Sequence, residues 1–424
     1  MAIPVRGFRH FAISTTPLLV TVFLLLTAIL CSMPVAPAWA QEIPADYVKL
    51  GLEAVNMDEL KGYVQDLAAF GSRFTGYPGC YAAANYIEAK FRSFGLMNLT
   101  RHRFDVVIPK DEGAYLGLAS GEKITLYPMF PNRVCPPQTP PGGLKGHLIY
   151  VGKGGLEELG VAAKKAGKGI EGSIVLMDFD TQYNWVTAAN LGAVAALLME
   201  PEDMSMMEAS MKFLENVAWN FPRLYVKAED AQKLKALSEQ TPTVTLVSSM
   251  KWRTVAAENI IGYLPGTEYK DRYVLITAAY DSFSFIPSLS PGAREAIGMA
   301  MVLQLAKYYS SHPGSNKYTL VFIAFSGTDQ GVIGSRWFIK EYVDSNWEKW
   351  GSKIALQINL DINDANKFMM PTTVAGWTHE WREGTAPWVT GYESWLFRTL
   401  VPDLAQKLGR AELAQDQRVG DIIV

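Results

Sequence analysis

The chain has 424 residues, 49% hydrophobic and 19% charged, with a formal net charge of −3. That balance belongs to a globular protein with room for one large or two medium domains, and it excludes long disorder. The weakly acidic charge leaves no electrostatic footprint for nucleic acid, so no nucleic-acid partner is expected.

Residues 1–40 carry only two formal charges, Arg6 and Arg9, then an apolar run from Pro17 to Leu30 and the triplet Ala38-Trp39-Ala40. A positive start, a short apolar core and an A-x-A site spell a secretory signal peptide, cleaved after Ala40. The expected location is secreted or periplasmic. The apolar run is shorter than the ~20 residues that span a bilayer, and no later segment is better, so no membrane span is expected after cleavage. Loss of Arg6 and Arg9 takes the formal charge to −5. Cys31 follows Leu30, where lipid attachment wants a small residue. Cys80 and Cys135 remain, and in an oxidising compartment they could pair, although one bridge is not a disulfide framework. Asn98-Leu99-Thr100 is a glycosylation sequon in a eukaryotic host.

From Asp58 to Leu96 apolar residues recur at three- and four-residue steps (Leu60, Tyr63, Val64, Leu67, Phe70), which predicts a helix. Gly71-Ser72-Arg73 and Gly76-Tyr77-Pro78-Gly79 break it, and a second helix is predicted from about Ala82 to Phe94, stopped by Gly95. Residues 114–250 read as a separate mixed unit. It opens on the Pro-rich stretch Pro128–Pro141, with strands at His147–Val151, Ser173–Met177, Ala193–Met199 and Thr243–Val247 and a helical stretch at Val186–Gly192. The third part, 251–424, alternates buried strands (Tyr273–Thr277, Tyr318–Phe325, Ala355–Leu360) with helices (Glu295–Tyr309, Gly334–Tyr342). Such alternation predicts a mostly parallel, doubly wound α/β sheet. Sites in such sheets gather at the carboxyl ends of the strands.

Those ends read Ala278-Ala279-Tyr280-Asp281-Ser282, then Pro291-Gly292-Ala293-Arg294-Glu295-Ala296-Ile297-Gly298, then Phe325-Ser326-Gly327-Thr328-Asp329-Gln330-Gly331-Val332-Ile333-Gly334-Ser335, then Asp361. In order and spacing they resemble the co-catalytic zinc peptidases of the aminopeptidase Y and glutamate carboxypeptidase type. Glu258–Thr267 resembles that family's run into its first core strand, and Phe70–Gly76 its N-terminal helix-loop-helix. The resemblance implies a zinc-aminopeptidase-like α/β/α sandwich. Its expected parts are an N-terminal helical part at 41–113, a protease-associated (mixed α/β) insert at 114–250 and a peptidase-like domain at 251–424, with truncation at its C-terminus left open.

Carried over residue by residue, the family's zinc-binding His falls on Ala279, its bridging Asp on Arg294, its general-base Glu on Thr328 and the adjacent metal-binding Glu on Asp329. Asp281 matches an Asp that orients the missing His. The remaining candidate metal ligands are Asp329 and Asp361. A catalytic zinc needs about three protein ligands, and a zinc pair needs a shared carboxylate. A fixed cation ~4 Å from a dication costs on the order of 8 kcal/mol at an effective dielectric of about 20. Threonine is no base for water near neutral pH. Arg294 reads either as a counter-ion tying the three aspartates together or as a solvated surface residue, and Asp281 as a group capping its own loop.

Four other observations carry less. His379-Glu380-Trp381-Arg382-Glu383 lacks the second His of a zinc helix. Gly152-Lys153-Gly154-Gly155 lacks a P-loop ending and reads as a turn. No G-x-S-x-G elbow exists. Trp377, Trp381, Trp388 and Trp395 supply core or a hydrophobic contact surface. The expectation is a catalytically degenerate, secreted pseudopeptidase without a cofactor, binding an unidentified protein or peptide. The alternative is an active aminopeptidase or carboxypeptidase with a rebuilt single-zinc site on Asp329 and Asp361. A third reading is a truncated product with open sheet edges.

Overall fold

The structure is a computed structural model that describes residues 54–360 apart from Glu215, together with Lys49, Gly51, Asp403, Gln406 and Lys407. The expected leader, Asp361, His379 and the tryptophans from Trp377 onward lie outside the described residues. Among those described, no helix is long and apolar enough to cross a membrane.

Two helices open the fold. Helix α1 (Met57–Ala69) is capped by Asn56, whose side chain accepts from the backbone N–H groups of Asp58 and Glu59. Helix α2 (Pro78–Ser93) starts on a proline, whose missing N–H costs nothing there. Strand β1 (Met97–Gly117) follows, and its 21 residues fill a stretch that the sequence reading left unassigned at the end of a helical part. A period-two signal was present: His102, Phe104, Val106 and Ile108 are buried while Arg103, Asp105 and Val107 are exposed. The strand lies antiparallel against β7 (Thr243–Leu264) along most of its length, and its inward face packs into two buried clusters, Phe104, Val106 and Ile108 in one and Ala114 and Leu116 in the other.

Between them come β2 (Lys123–Pro128), β3 (Leu144–Tyr150), α3 (Leu156–Ala166), β4 (Ile174–Met177), α4 (Asn184–Asn190), β5 (Ala195–Met199), α5 (Met206–Ser210), β6 (Arg223–Val226) and α6 (Ala228–Ser238). The pairings β1–β2–β6–β5–β4–β3–β7 return to β1, so seven strands close on themselves. Closure leaves no free edge in this part. One face of the ring gathers Leu116, Leu126, Leu148, Leu176, Leu197 and Leu246. The other packs Val175, Met177 and Leu198 around Trp185. The predicted divisions at 113/114 and 250/251 fall inside β1 and β7, which run unbroken out of the ring into the second sheet.

That sheet continues from β7 through β9 (Tyr318–Phe325) and β8 (Tyr269–Ala279) to β10 (Ile354–Asn359), the last three mutually parallel. Every residue of β9 is buried, as a central strand covered on both faces requires. Helix α7 (Ala296–Ser311) lies on one face with α1 and α2 and is apolar nearly all round. Its Gly298 sits so close to the Leu360 carbonyl that an added Cβ would stand 2.0 Å from that oxygen. Helix α8 (Ile333–Phe338) passes into a π-helical turn, Ile339–Asp344, on the other face, so the predicted helix to Tyr342 widens after its sixth residue.

The Gly152–Gly155 stretch is a turn at the start of α3. The N–H groups that an anion would use are taken by Glu158, which accepts from Gly155 N at 2.9 Å and Lys153 N at 3.2 Å. Cys80 and Cys135 are both free, so the possible bridge is not made. Cys80 is buried on α2, whereas Cys135 sits half-buried in the loop after β2. Burial pushes the Cys80 thiol up to about 12, with Asp281 adding to the effect. In the native chain at pH 8, a disulfide reagent is therefore expected to titrate Cys135 and to leave Cys80 unmodified until denaturant is added. A raised folded-state value means that the native chain holds this proton longer than the unfolded chain. The matching stability is complete below about pH 9 and is lost as the pH climbs toward 12.

Candidate site at the strand ends

The carboxyl ends of β8 and β9 meet the α1–α2 loop, and the site is assembled from these three segments. Asp281, two residues past β8, is 2% exposed. A carboxylate so buried is costly unless hydrogen-bonded. Its Oδ2 accepts from Thr75 Oγ1 at 2.7 Å and from Thr328 N at 3.0 Å, and its Oδ1 accepts from Thr328 Oγ1 at 2.8 Å. Thr75 Oγ1 in turn accepts from Gly327 N at 3.2 Å. Asp281 thus caps more than its own loop, since its partners come from two other parts of the chain.

Beneath this cluster Arg73 is fully buried. Its Nε donates to the Tyr280 carbonyl at 2.9 Å, Nη2 to Gly292 O at 2.8 Å, and Nη1 to Pro291 O. Its own backbone N–H donates to Ser290 O at 2.7 Å. Desolvation lowers the guanidinium from its ordinary value, and the fields of Glu295 and Asp281 work against that shift. Arg73 therefore fixes the β8–α7 loop at both ends. The loop's middle runs into the ring of strands: Ile286 joins the Trp185 cluster, Phe285 O accepts from Phe130 N at 2.7 Å, and Phe283 and Phe285 pack on Phe130 and Phe213.

The β9–α8 loop is held from β7 as well. Asn259 Oδ1 accepts from Ser326 N at 3.2 Å, and its Nδ2 donates to Gly334 O at 2.9 Å. The same amide faces His102, whose other ring nitrogen lies 3.0 Å from Glu341. Gly334 must be glycine here, because a Cβ would meet Ser326 O at 2.1 Å.

The sequence-derived positions fall as follows. Ala279 ends β8 and offers a methyl group. Arg294 is exposed just before α7, and Asp329 is exposed on the β9–α8 loop. Thr328 and Asp281 are brought together, and Asp361 lies outside the described residues. Among the described residues no three His, Cys, Asp or Glu side chains come together as a cation cage. At these positions the donor set does not fit a zinc pair: one ligand position has no donor atom, another carries a cation, and the buried carboxylate already holds three donors. Sequence reasoning missed Arg73, Thr75 and Asn259. A lone Arg and Thr inside the Gly-bounded loop Gly71–Gly76 were the available signal.

Residues 259–418 match Peptidase family M28. A probable zinc metalloprotease of Pyrenophora tritici-repentis is 34% identical over 119 residues, covering 27% of this chain and 26% of that protein. A glutamate carboxypeptidase 2 homologue of Caenorhabditis briggsae is 26% identical over 137 residues, 32% of this chain and 17% of that one. The matches thus span about a quarter or less of these curated relatives. Among solved structures, a zinc aminopeptidase from Bacillus subtilis aligns with a TM-score of 0.48 at 23% identity, covering 72% of this chain and 68% of that one. Over residues 259–418, which supply the strands β8, β9 and β10 and the loops that follow them, the chain is thus similar to the zinc peptidases of family M28.

Proposed function

We propose that the chain is a secreted pseudopeptidase, a peptidase-family fold that binds a protein or peptide and does not cleave it. The observation that carries this reading is the exchange at the strand ends. Where hydrolysis needs a His, a bridging carboxylate and a general base, this chain has Ala279, Arg294 and Thr328, and Thr328 is bonded inward to Asp281. A hydroxyl that donates to a buried carboxylate is not placed to take a proton from water. A signal peptide at 1–40 would deliver the chain outside the cytoplasm, and the closed ring of strands at 114–250 would serve as its protease-associated unit.

The test is zinc content and hydrolysis on one preparation. The chain, expressed with its own leader, is purified, incubated with excess zinc, dialysed and assayed by plasma mass spectrometry, then offered aminoacyl p-nitroanilides. No stoichiometric zinc and no turnover are expected. One equivalent of tightly held zinc together with hydrolysis would sink the reading.

A further inference from the structure

We propose that the strand-end cluster has become a clasp, with Asp281 as its acceptor and Thr328 as the residue that closes it. This rests on the reading of the chain as a peptidase relative without a zinc pair, and it adds what the buried carboxylate now does. The clasp joins three segments far apart in the chain. Thr75 is 206 residues from Asp281, and Thr328 is 47 residues from it on the other side. The Gly327 N–H to Thr75 Oγ1 bond closes the circuit across 252 residues. A carboxylate offers about four acceptor sites, and three are filled by protein donors, so a cation entering here would have to displace Thr328.

Threonine suits this position in a way that other residues do not. It brings a backbone N–H and a short hydroxyl to two oxygens of one carboxylate. A glutamate at 328 would set a second negative charge beside Asp281, where like charges oppose each other. A valine would keep the shape and lose the donor. Thr328 therefore reads as the partner of Asp281, beyond being the place where a base is missing.

Strain in the same loop supports the clasp. Val332, a β-branched residue and 46% exposed, sits at φ 51°, ψ 37°. Left-handed backbone is unfavourable for a non-glycine residue, and such strain persists only where the surroundings over-determine it. The restraints are on either side of it: Thr75 and Asp281 hold Gly327 and Thr328, Asn259 holds Ser326 and Gly334, and Val332 N donates to Thr328 O at 2.9 Å.

The experiment compares Thr328→Val, Thr328→Ser and the wild type, each as the full chain, by amide hydrogen exchange of residues 326–334 read by mass spectrometry. Losing a hydrogen bond to a charged group is expected to speed exchange there roughly ten- to a hundredfold in Thr328→Val, while Thr328→Ser stays within about twofold of wild type. Should the valine variant fail to accumulate, Thr75→Val against Thr75→Ser reads the other arm in the same way. Unchanged exchange in the valine variants, or serine variants as damaged as valine, overturns the clasp. Zinc content of the wild-type preparation separates the two proposals. Unchanged exchange in a chain that holds no zinc removes the clasp alone, whereas tight zinc with hydrolysis by the wild type removes the pseudopeptidase reading beneath it.

Discussion

Replacing Arg73 by alanine is expected to cost on the order of 4 kcal/mol, enough to unfold most of a marginally stable chain. The side chain is fully buried, and its three nitrogens serve the carbonyls of Tyr280, Pro291 and Gly292. Removing it leaves the Tyr280 carbonyl without its donor in the buried interior, at about 1–3 kcal/mol where water cannot reach, takes one bond each from Pro291 O and from Gly292 O, which keeps its bond from Ala296 N, and opens a cavity beneath Asp281. Arg73→Lys should recover little, because one ammonium cannot reproduce a planar fork aimed at three separated oxygens. Urea unfolding followed by tryptophan fluorescence measures both. An arginine-to-lysine variant as stable as wild type would show that charge, not the fork, is what matters.

The second large effect is expected at Trp185. This side chain is fully buried, stacks on Phe221 at 5.9 Å, lies 6.0 Å from Trp219 and carries the Arg223 guanidinium over its ring at 4.9 Å. Its indole N–H donates to Met211 O at 2.8 Å. Trp185→Ala should cost about 3–5 kcal/mol. The form of the transition carries the further information. Because β1 and β7 run through both the ring and the second sheet, and Ile286 from the β8–α7 loop lies in the Trp185 cluster, the loss should lower one shared transition. Calorimetry that split into an early and an unchanged late transition would show that the ring unfolds by itself.

On the proposed reading, the strand-end cluster shows how a buried carboxylate is satisfied without a metal. Removing ligands from a metal site ordinarily leaves buried carboxylates without partners, and unpaired buried charge is unstable. Here Asp281 is buried and has protein donors. Thr328 supplies two of the three bonds, Thr75 supplies the third, and the loop they hold includes a strained valine. These bonds lie at the place where, on the proposed reading, a hydrolase would need an open coordination position and a base.

What the sequence determined by itself was whatever is encoded locally. The amphipathic spacing of α1, the proline and glycine bounds of α2, and the unbroken apolar runs of β8 and β9 each announce an element within a few residues of its place, because helix and strand periods are properties of neighbouring residues. The order of motifs at the strand ends was equally legible, and with it the resemblance to the zinc peptidases. The tertiary structure alone decided that β1 and β7 form one ribbon through two sheets, since a strand with one charged face takes its stability from its partner. It alone decided that seven strands close into a ring, which no segment can report about itself. It also decided the roles of Thr75, Asp281 and Thr328. A hydroxyl's function depends on which acceptor the fold brings within 3 Å, and these three residues meet only after the α1–α2 loop, β8 and β9 have been packed together.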